Sequence, residues 1–151
     1  MSDWREEIEH ALDAFISVAE LAGNPIARAE IQVEYLPAPH RPPTHLPAGK
    51  MAVYGFWGDG VWLKIGKVGP KSAARYCYQH YNGDAPSTLA GSLASDPKMR
   101  KVAGFKRNDP GEWMKASTSR VNILLSSQRE RELLSLLEAF LHLRLRPRYE
   151  G

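Results

Sequence analysis

The sequence predicts a mixed α/β fold of the α+β type, in which helices flank a small antiparallel sheet of three strands. Residues 51–69 alternate apolar and aromatic side chains on both sides of Gly58, Asp59 and Gly60, a pattern typical of a β-hairpin. A third run suited to a strand, through its β-branched residues, covers 119–125. Amphipathic helical patterns lie near both ends of the 151-residue chain, which is long enough for one domain.

Residues 1–35 predict an extra N-terminal helix and a short strand. In the helix, apolar residues recur at steps of three and four and lie opposite an acidic face. The apolar residues are Trp4, Ile8, Leu12, Phe15, Ile16 and Ala19. Gly23 and Pro25 are typical of a helix end. The alternating run from Ile31 to Tyr35 favours the strand. Because the helix is acidic, we expect it to pack on the domain or to mediate dimerisation away from any nucleic acid.

Residues 36–49 are predicted to form an extended, proline-rich strap. Five prolines lie between positions 37 and 47, a density that neither a helix nor a central strand tolerates. A loop on the surface of the domain is favoured over a recognition motif for a partner. Residues 50–151 then form the main domain.

Three helical regions are predicted within this main domain. Residues 71–81 form one helix, and 87–103 form helical pieces that Pro97 interrupts. Ser127 and Glu130 predict a capping box at the start of the last helix. The apolar stripe of that helix consists of Leu133, Leu134, Leu137, Phe140 and Leu141.

Composition excludes several classes of protein. The single Cys77 allows neither an internal disulfide nor a cysteine-rich zinc site. No apolar run of 18 residues occurs, and the acidic N-terminus differs from a signal peptide, so a soluble cytoplasmic protein without a membrane partner is expected. Residues 1–40 carry eight acidic and two basic residues, whereas 41–107 carry three acidic and eleven basic residues. A basic middle of this kind is typical of a surface that meets a polyanion, although it also suits a solvated surface.

A few polar residues are candidates for a functional site. Tyr54 and Lys64 lie in the two strands of the hairpin, each near a glycine that lets another group approach closely, and Arg75 follows in the next helix. Glu138 lies on or beside the apolar stripe of the last helix, where a carboxylate is costly unless it pairs with a cation or binds a metal. Each of these residues also has a structural explanation, whereas their joint order is more informative. His142, one turn after Glu138, could join it in a metal site, but as one of five scattered histidines it is interpreted as helix surface.

In this order the residues resemble the signature of the GIY-YIG endonuclease superfamily, over positions 52–150. Ala-Val-Tyr at 52–54 corresponds to the first half of the signature, and Lys-Ile-Gly at 64–66 to the second half. Arg75 follows the second half by nine residues, where the family places its arginine. His80 lies near the position at which many members have a histidine.

The end of the chain resembles the family's metal site and tail. Glu138 corresponds to the metal-binding glutamate, and Pro147 and Tyr149 to the Pro-x-Tyr-Asn tail, with Glu150 in place of the asparagine. Two other departures lie in the signature. Alanine and valine replace the first Gly-Ile, which keeps the strand, and Lys64 replaces the second tyrosine, as in some restriction-enzyme-like members.

The resemblance implies a metal-dependent endonuclease that hydrolyses phosphodiester bonds in DNA, with duplex DNA as the expected partner. Tyr54 would be the general base, Lys64 and Arg75 would bind phosphate, and Glu138 would hold one Mg²⁺ or Mn²⁺ ion through oxygen ligation. Free tyrosine has a pKa near 10. We therefore expect Lys64, or a positive phosphate-binding pocket, to lower the pKa of Tyr54.

Other residues rank lower as contacts to the substrate: Lys67, Tyr76 and His80. The segment 98–107 carries no acid and suits a DNA backbone, with an exposed loop as the alternative; its bases are Lys98, Arg100, Lys101, Lys106 and Arg107. A homodimer is a further expectation. The competing functional class is a non-catalytic module of the same fold that binds nucleic acid or another protein.

Overall fold

The computed structural model describes residues 3–149. Within that range lie five α-helices and four β-strands, in the order α1 (Trp4–Leu21), β1 (Gln32–Leu36), β2 (Lys50–Gly58), β3 (Val61–Val68), α2 (His80–Asn82), α3 (Leu89–Ser95), α4 (Pro110–Ser117), β4 (Ser119–Ser126) and α5 (Arg131–Leu145). A π-helical turn, Arg75–Gln79, leads directly into α2. Short 3-10 turns occupy Arg28–Glu30 and Pro97–Lys101. None of the helices in the described range is long and apolar enough to cross a membrane.

The four strands form one antiparallel sheet in the order β1-β4-β2-β3. The mixed α/β class is therefore confirmed, but the expected number of three strands is wrong. The short strand of the N-terminal region joins the sheet by pairing with β4, so that Val33 lies opposite Ile123. This pairing satisfies backbone groups along a side of β4 that would otherwise be an exposed edge.

Helices cover both faces of the sheet, which buries almost every residue of the two central strands, β2 and β4. On one face, α1 and α5 pack onto the sheet in a cluster that includes Phe15, Val53 and Leu137. The acidic N-terminal helix thus packs on the domain, as expected. On the other face, α2, α3 and α4 enclose a second cluster that includes Tyr54 and Phe56. Side chains alternate along a strand, so Val53 and Tyr54 point to opposite faces.

Several predicted elements are confirmed. The hairpin turns at Asp59 and Gly60, which both adopt positive φ values, 54° and 75°. The proposed third strand is β4, and the helical pieces on either side of Pro97 are α3 and a 3-10 turn. Between β1 and β2, residues 37–49 form neither helix nor strand.

Two features of the helices differ from expectation. The predicted capping box is wrong, because Glu130 is the N-cap of α5 and makes no side-chain capping bond. The backbone N–H of Ser127 instead donates to the carbonyl of Gly49, since the chain is still turning away from β4. Helix α4 was not predicted, although Asp109 caps it by accepting from the N–H of Glu112 at 3.3 Å.

The chain after α5 returns to the outer edge of β3. The N–H groups of Arg148 and Tyr149 donate to the carbonyls of Trp62 and Leu63, each at 2.9 Å. The Tyr149 hydroxyl donates to Asp96 at 2.6 Å and anchors the tail to the segment after α3. The tail therefore covers the beginning of the β3 edge and leaves its second half to a pocket. Glu150 lies outside the described residues.

Candidate active site

A pocket of about 270 Å³ opens at the outer edge of β3, where side chains from both faces of the sheet meet. Its lining includes all four residues predicted to be catalytic, and each comes from a different element: Tyr54 from β2, Lys64 from β3, Arg75 from the π-helical turn and Glu138 from α5. Three other lining residues belong to β3, and His142 follows Glu138 by one turn of α5.

Tyr54 reaches this pocket across Gly66. The two residues are paired in register between β2 and β3, and the tyrosine ring lies directly over the glycine. A Cβ atom on Gly66 would stand 2.5 Å from the Tyr54 hydroxyl oxygen and 2.8 Å from its ring carbon Cζ. The absence of a side chain at position 66 thus lets the phenol extend to the edge of the sheet.

Gly66→Ala is therefore expected to destabilise the protein by about 1–3 kcal/mol, because the new methyl group overlaps a ring that is buried on all other sides. Chemical denaturation of the variant and the wild-type protein measures this loss. An unchanged free energy of unfolding would contradict the packing of Tyr54 over β3.

His80 forms a hydrogen bond with the Tyr54 hydroxyl oxygen, and its ring has a defined tautomer. The backbone N–H of Leu89 donates to His80 Nδ1 at 3.0 Å, so Nδ1 must present a lone pair. In the neutral ring the proton is then on Nε2, which lies 2.5 Å from the Tyr54 oxygen. His80 consequently donates to Tyr54 and is not placed to remove its proton.

The charge states of this pair follow from their burial. Burial and the neighbouring charges of Arg75, Arg120 and Lys64 lower the pKa of His80 to about 3, so the ring is neutral at pH 7. Burial raises the pKa of the Tyr54 hydroxyl, and the positive charges of Arg75 and Arg120 oppose only part of that shift. The expectation that Lys64 lowers the pKa of Tyr54 below its ordinary value is thus not met in the free protein.

The buried neutral imidazole predicts a loss of stability on acidification. His80 binds a proton in the unfolded chain below its ordinary pKa of 6.5, but in the folded chain only below about 3. Its stabilising contribution is therefore present above pH 6.5 and decreases as the pH falls, by about 2 kcal/mol between pH 7 and pH 5. Urea unfolding at several pH values measures this slope, which His80→Gln should flatten. Equal slopes in the two proteins would contradict the buried neutral state.

Two of the three basic residues that line the pocket, Lys64 and Arg75, differ from Lys67 in how they are held. Lys64 is only 3% exposed, and burial together with the charge of Arg75 lowers its pKa. Within the described part of the chain Lys64 forms no ion pair. Arg75 is held by its own loop, because its guanidinium donates to the carbonyls of Pro86 at 3.1 Å and Ser87 at 2.9 Å. Among residues 3–149 neither cation has a carboxylate partner, so both remain available to an anion.

Glu138 is the acidic member of the pocket. Its Oε1 atom accepts from the Lys67 ammonium at 2.9 Å, and its side chain is 21% exposed. His142 Nε2 lies 2.9 Å from the Ile65 carbonyl oxygen, so this nitrogen carries a proton. The structure therefore places His142 in the pocket, and its interpretation as helix surface is wrong.

The side chains in the pocket that could bind a metal ion suit only a weakly held divalent ion. Among residues 3–149, no group of three or more His, Cys, Asp or Glu side chains could hold a metal. Mg²⁺ commonly binds through one or two carboxylates and keeps several waters and substrate phosphate oxygens. Glu138 fits this mode, since Lys67 bonds only one of its two carboxylate oxygens and is itself 42% exposed.

The lower-ranked residues separate into different places. His80 and Lys67 contact the candidate site, whereas Tyr76 packs its ring against Tyr54 but opens onto another cavity, beside Glu34 and the strap. Tyr76 is only 1% exposed, so it is a poor contact for substrate in the Tyr54 pocket. The basic residues Lys101, Lys106 and Arg107 are exposed and lie outside the pocket.

Comparisons with protein-family models, with curated proteins and with solved structures returned no match for this chain. The resemblance to GIY-YIG nucleases therefore stays a prediction that rests on short motifs. The geometry is independent of that resemblance. Four elements of one small fold bring a phenol, a carboxylate and two cations that form no ion pair within residues 3–149 to a single open pocket.

Proposed function

We propose that this protein is a metal-dependent endonuclease that hydrolyses phosphodiester bonds in DNA, with duplex DNA as its main substrate. The observation that supports the proposal most is the convergence of Tyr54, Lys64, Arg75 and Glu138 in one pocket at the sheet edge. With Lys67, this set has three cations and one carboxylate, which favours a polyanionic ligand.

We assign Tyr54 the role of the general base that takes a proton from the attacking water. Its oxygen accepts one hydrogen bond from His80 Nε2, so its own proton is directed to another acceptor. Once a solvent water in the open pocket has taken that proton, the phenolate keeps the donor from His80 and is favoured by the positive charges of Arg75 and Arg120. In this form Tyr54 can take a proton from water as a general base.

We assign Lys64 and Arg75 the role of binding the phosphate of the substrate. The planar guanidinium suits two phosphate oxygens at once, and the ammonium of Lys64, a side chain that is only 3% exposed, is a compact charge. Both charges stabilise the additional negative charge of the transition state more than that of the substrate. The carbonyls of Pro86 and Ser87 hold the Arg75 guanidinium before the substrate arrives.

Glu138 is assigned as the ligand of one Mg²⁺ or Mn²⁺ ion. When bound, such an ion supplies Lewis-acid stabilisation of the phosphate oxygens and the leaving oxygen. The chain contributes the Glu138 carboxylate, which lines the pocket and accepts a hydrogen bond from the Lys67 ammonium. Lys67 can then turn to a substrate phosphate, because its half-exposed ion pair is worth at most about 1 kcal/mol.

A second candidate is a non-catalytic module that binds nucleic acid or protein through the same surface. The ion pair between Lys67 and Glu138 favours it, because that pair satisfies the carboxylate without any metal.

The two candidates differ in whether the protein cleaves DNA. Purified protein should be incubated with plasmid, single-stranded DNA and RNA, each with Mg²⁺, Mn²⁺ or EDTA. The proposal predicts cleavage of plasmid with the metals only, whereas binding without cleavage under every condition favours the module.

The exposed basic segment gives a separate prediction about DNA binding. Replacing Lys101, Lys106 and Arg107 together with glutamine is expected to reduce the slope of log affinity against log salt by roughly two to three units on duplex DNA. Each change should alter the free energy of unfolding by no more than about 0.5 kcal/mol, since these side chains are exposed. Binding is measured with Ca²⁺ in place of Mg²⁺ to suppress cleavage.

Arg5→Gln provides the matched control for charge, because Arg5 lies in the acidic helix α1. Its salt slope should equal that of the wild-type protein. An unchanged slope in the triple variant would show that the segment is a solvated loop, and would place the DNA path closer to Arg75 and Lys67.

A further inference from the structure

Arg120, in β4, is a fully buried cation that the assignments above leave without a role of its own. Its side chain is 0% exposed. Nε donates to Asn122 Oδ1 at 2.7 Å, and the two terminal nitrogens donate to the Tyr81 hydroxyl at 3.2 Å and to the Tyr76 carbonyl at 2.7 Å. All three acceptors are neutral. Within residues 3–149 Arg120 takes part in no ion pair.

Aromatic rings complete the surroundings of the Arg120 guanidinium. Its central carbon lies 4.8, 5.1, 5.2 and 6.0 Å from the ring centroids of Tyr76, Phe56, Tyr54 and Tyr81, respectively. The acid nearest in the hydrogen-bond network is Glu34, which accepts from Asn122 Nδ2 at 2.8 Å and does not contact the arginine. The positive charge is thus enclosed by faces of rings and separated from the closest carboxylate by one amide.

A guanidinium in such a position is always charged and is costly to bury. Apolar side chains of similar volume commonly replace buried ions in protein cores with equal or greater stability. Packing alone therefore gives little reason for a cation at this position. The charge does have one reactive neighbour, the ring of Tyr54.

We propose that Arg120 is a positioning residue of the nuclease site, a permanent buried cation that favours the phenolate form of Tyr54 without touching the substrate. The inference rests on the proposed function. A cation beside the face of a neutral ring gains a modest attraction. Once the ring carries a full negative charge, the attraction becomes that between opposite charges in a region with little water, which is far stronger.

Arg120 differs from the other charged groups around Tyr54 in being 0% exposed and held by three hydrogen bonds. The titratable and charged side chains that face Tyr54 come from every element packed against it: Lys64 from β3, Arg75 and Tyr76 from the π-helical turn, His80 from α2, Arg120 from β4 and Glu138 from α5. Lys64, Arg75 and Glu138 line the open pocket and are assigned to phosphate and metal. Arg120 keeps its charge on Tyr54 at every stage of such a reaction.

The test measures the ionisation of residue 54 directly. Incorporation of 3,5-difluorotyrosine at position 54 provides a phenol that ionises closer to neutral pH and reports its charge through the ¹⁹F NMR shift. In the Arg120→Met background the apparent pKa of this phenol is expected to rise by about one unit, because a cation within 6 Å of the ring is removed. In Arg120→Lys, which retains a charge, the rise should be smaller.

A second variant moves a negative charge next to Arg120 by exchanging a carboxylate and an amide of the same shape. Asn122→Asp combined with Glu34→Gln replaces an amide by a carboxylate, and a carboxylate by an amide, at two side chains that are already hydrogen-bonded to each other. Net charge and shape are unchanged, but the carboxylate now contacts Arg120 directly. The apparent pKa of the phenol should rise here too, even if Arg120→Met does not fold.

If the proposed function is correct, the alkaline shift also appears in the pH profile of kcat/KM for DNA cleavage, with duplex affinity in Ca²⁺ unchanged. Absence of cleavage in the wild-type protein would overturn the proposed function, whereas the NMR titration would still decide the effect of Arg120 on Tyr54. Identical titrations in the wild-type background and the double variant would overturn the inference.

Discussion

Replacing Glu138 with glutamine is expected to reduce metal-dependent DNA cleavage on the order of 10³-fold, because a bound divalent ion supplies several kcal/mol of charge stabilisation in the transition state. The variant should remain folded. Its lost ion pair with Lys67 is partly exposed and is worth at most about 1 kcal/mol. Single-turnover cleavage of duplex DNA in Mg²⁺ and in Mn²⁺ measures the loss, and thermal unfolding checks the fold.

Lys67→Gln is the matched control for this variant. It breaks the same ion pair but retains the carboxylate, so cleavage should keep its dependence on metal. If Glu138→Gln instead cleaved at the wild-type rate with the same metal requirement, the assignment of Glu138 as the metal ligand would be wrong.

Tyr54→Phe is expected to lower kcat by about 10²–10⁴-fold, the range typical of a lost general base. Affinity for duplex DNA in Ca²⁺ should change little, because only one hydroxyl group is removed from a side chain that is 1% exposed. Arg75→Ala should weaken both affinity and kcat, since we assign the guanidinium to the phosphate in the substrate and in the transition state. Parallel measurements of affinity and single-turnover rate separate the two effects.

Full activity in Tyr54→Phe would transfer the role of base to another group, such as a metal-bound water near Lys64. The buried hydrogen bond with His80 would then be structural. Removal of the hydroxyl also leaves His80 Nε2 without its acceptor, so we expect a moderate loss of stability, about 1–3 kcal/mol, in this variant.

Local patterns in the sequence were sufficient for most of the fold. The hairpin is specified by Asp59 and Gly60, which tolerate the positive φ values of its turn, and α5 is specified by its apolar stripe. The pairing of β1 with β4 could not be obtained in this way, because it joins residues far apart in the sequence, such as Val33 and Ile123, which are ninety positions apart. Local periodicity indicates that a strand exists but not which strand it pairs with.

The candidate site, too, was predicted from the sequence only in part. Motif spacing brought together Tyr54, Lys64, Arg75 and Glu138, and the structure places all four in one pocket. The direction of the Tyr54 pKa was missed, because burial by packed helices is not visible in a short motif.

Two other residues were missed for similar reasons. Arg120 belongs to no motif, and only its burial among aromatic rings distinguishes it from other arginines. His142 had a visible signal, since it lies one turn from Glu138 on the same helix face.

Nicking of one supercoiled plasmid tests whether this chain hydrolyses DNA with a divalent ion held by Glu138. Wild-type and Glu138→Gln proteins, purified side by side, are assayed with Mg²⁺, after addition of EDTA, and after Mg²⁺ is restored in excess. Nicking by the wild-type protein is expected to stop with EDTA and to resume with Mg²⁺, while the variant stays inactive throughout. Nicking that continues in EDTA, or equal nicking by the two proteins, would show that Glu138 does not hold a catalytic metal ion.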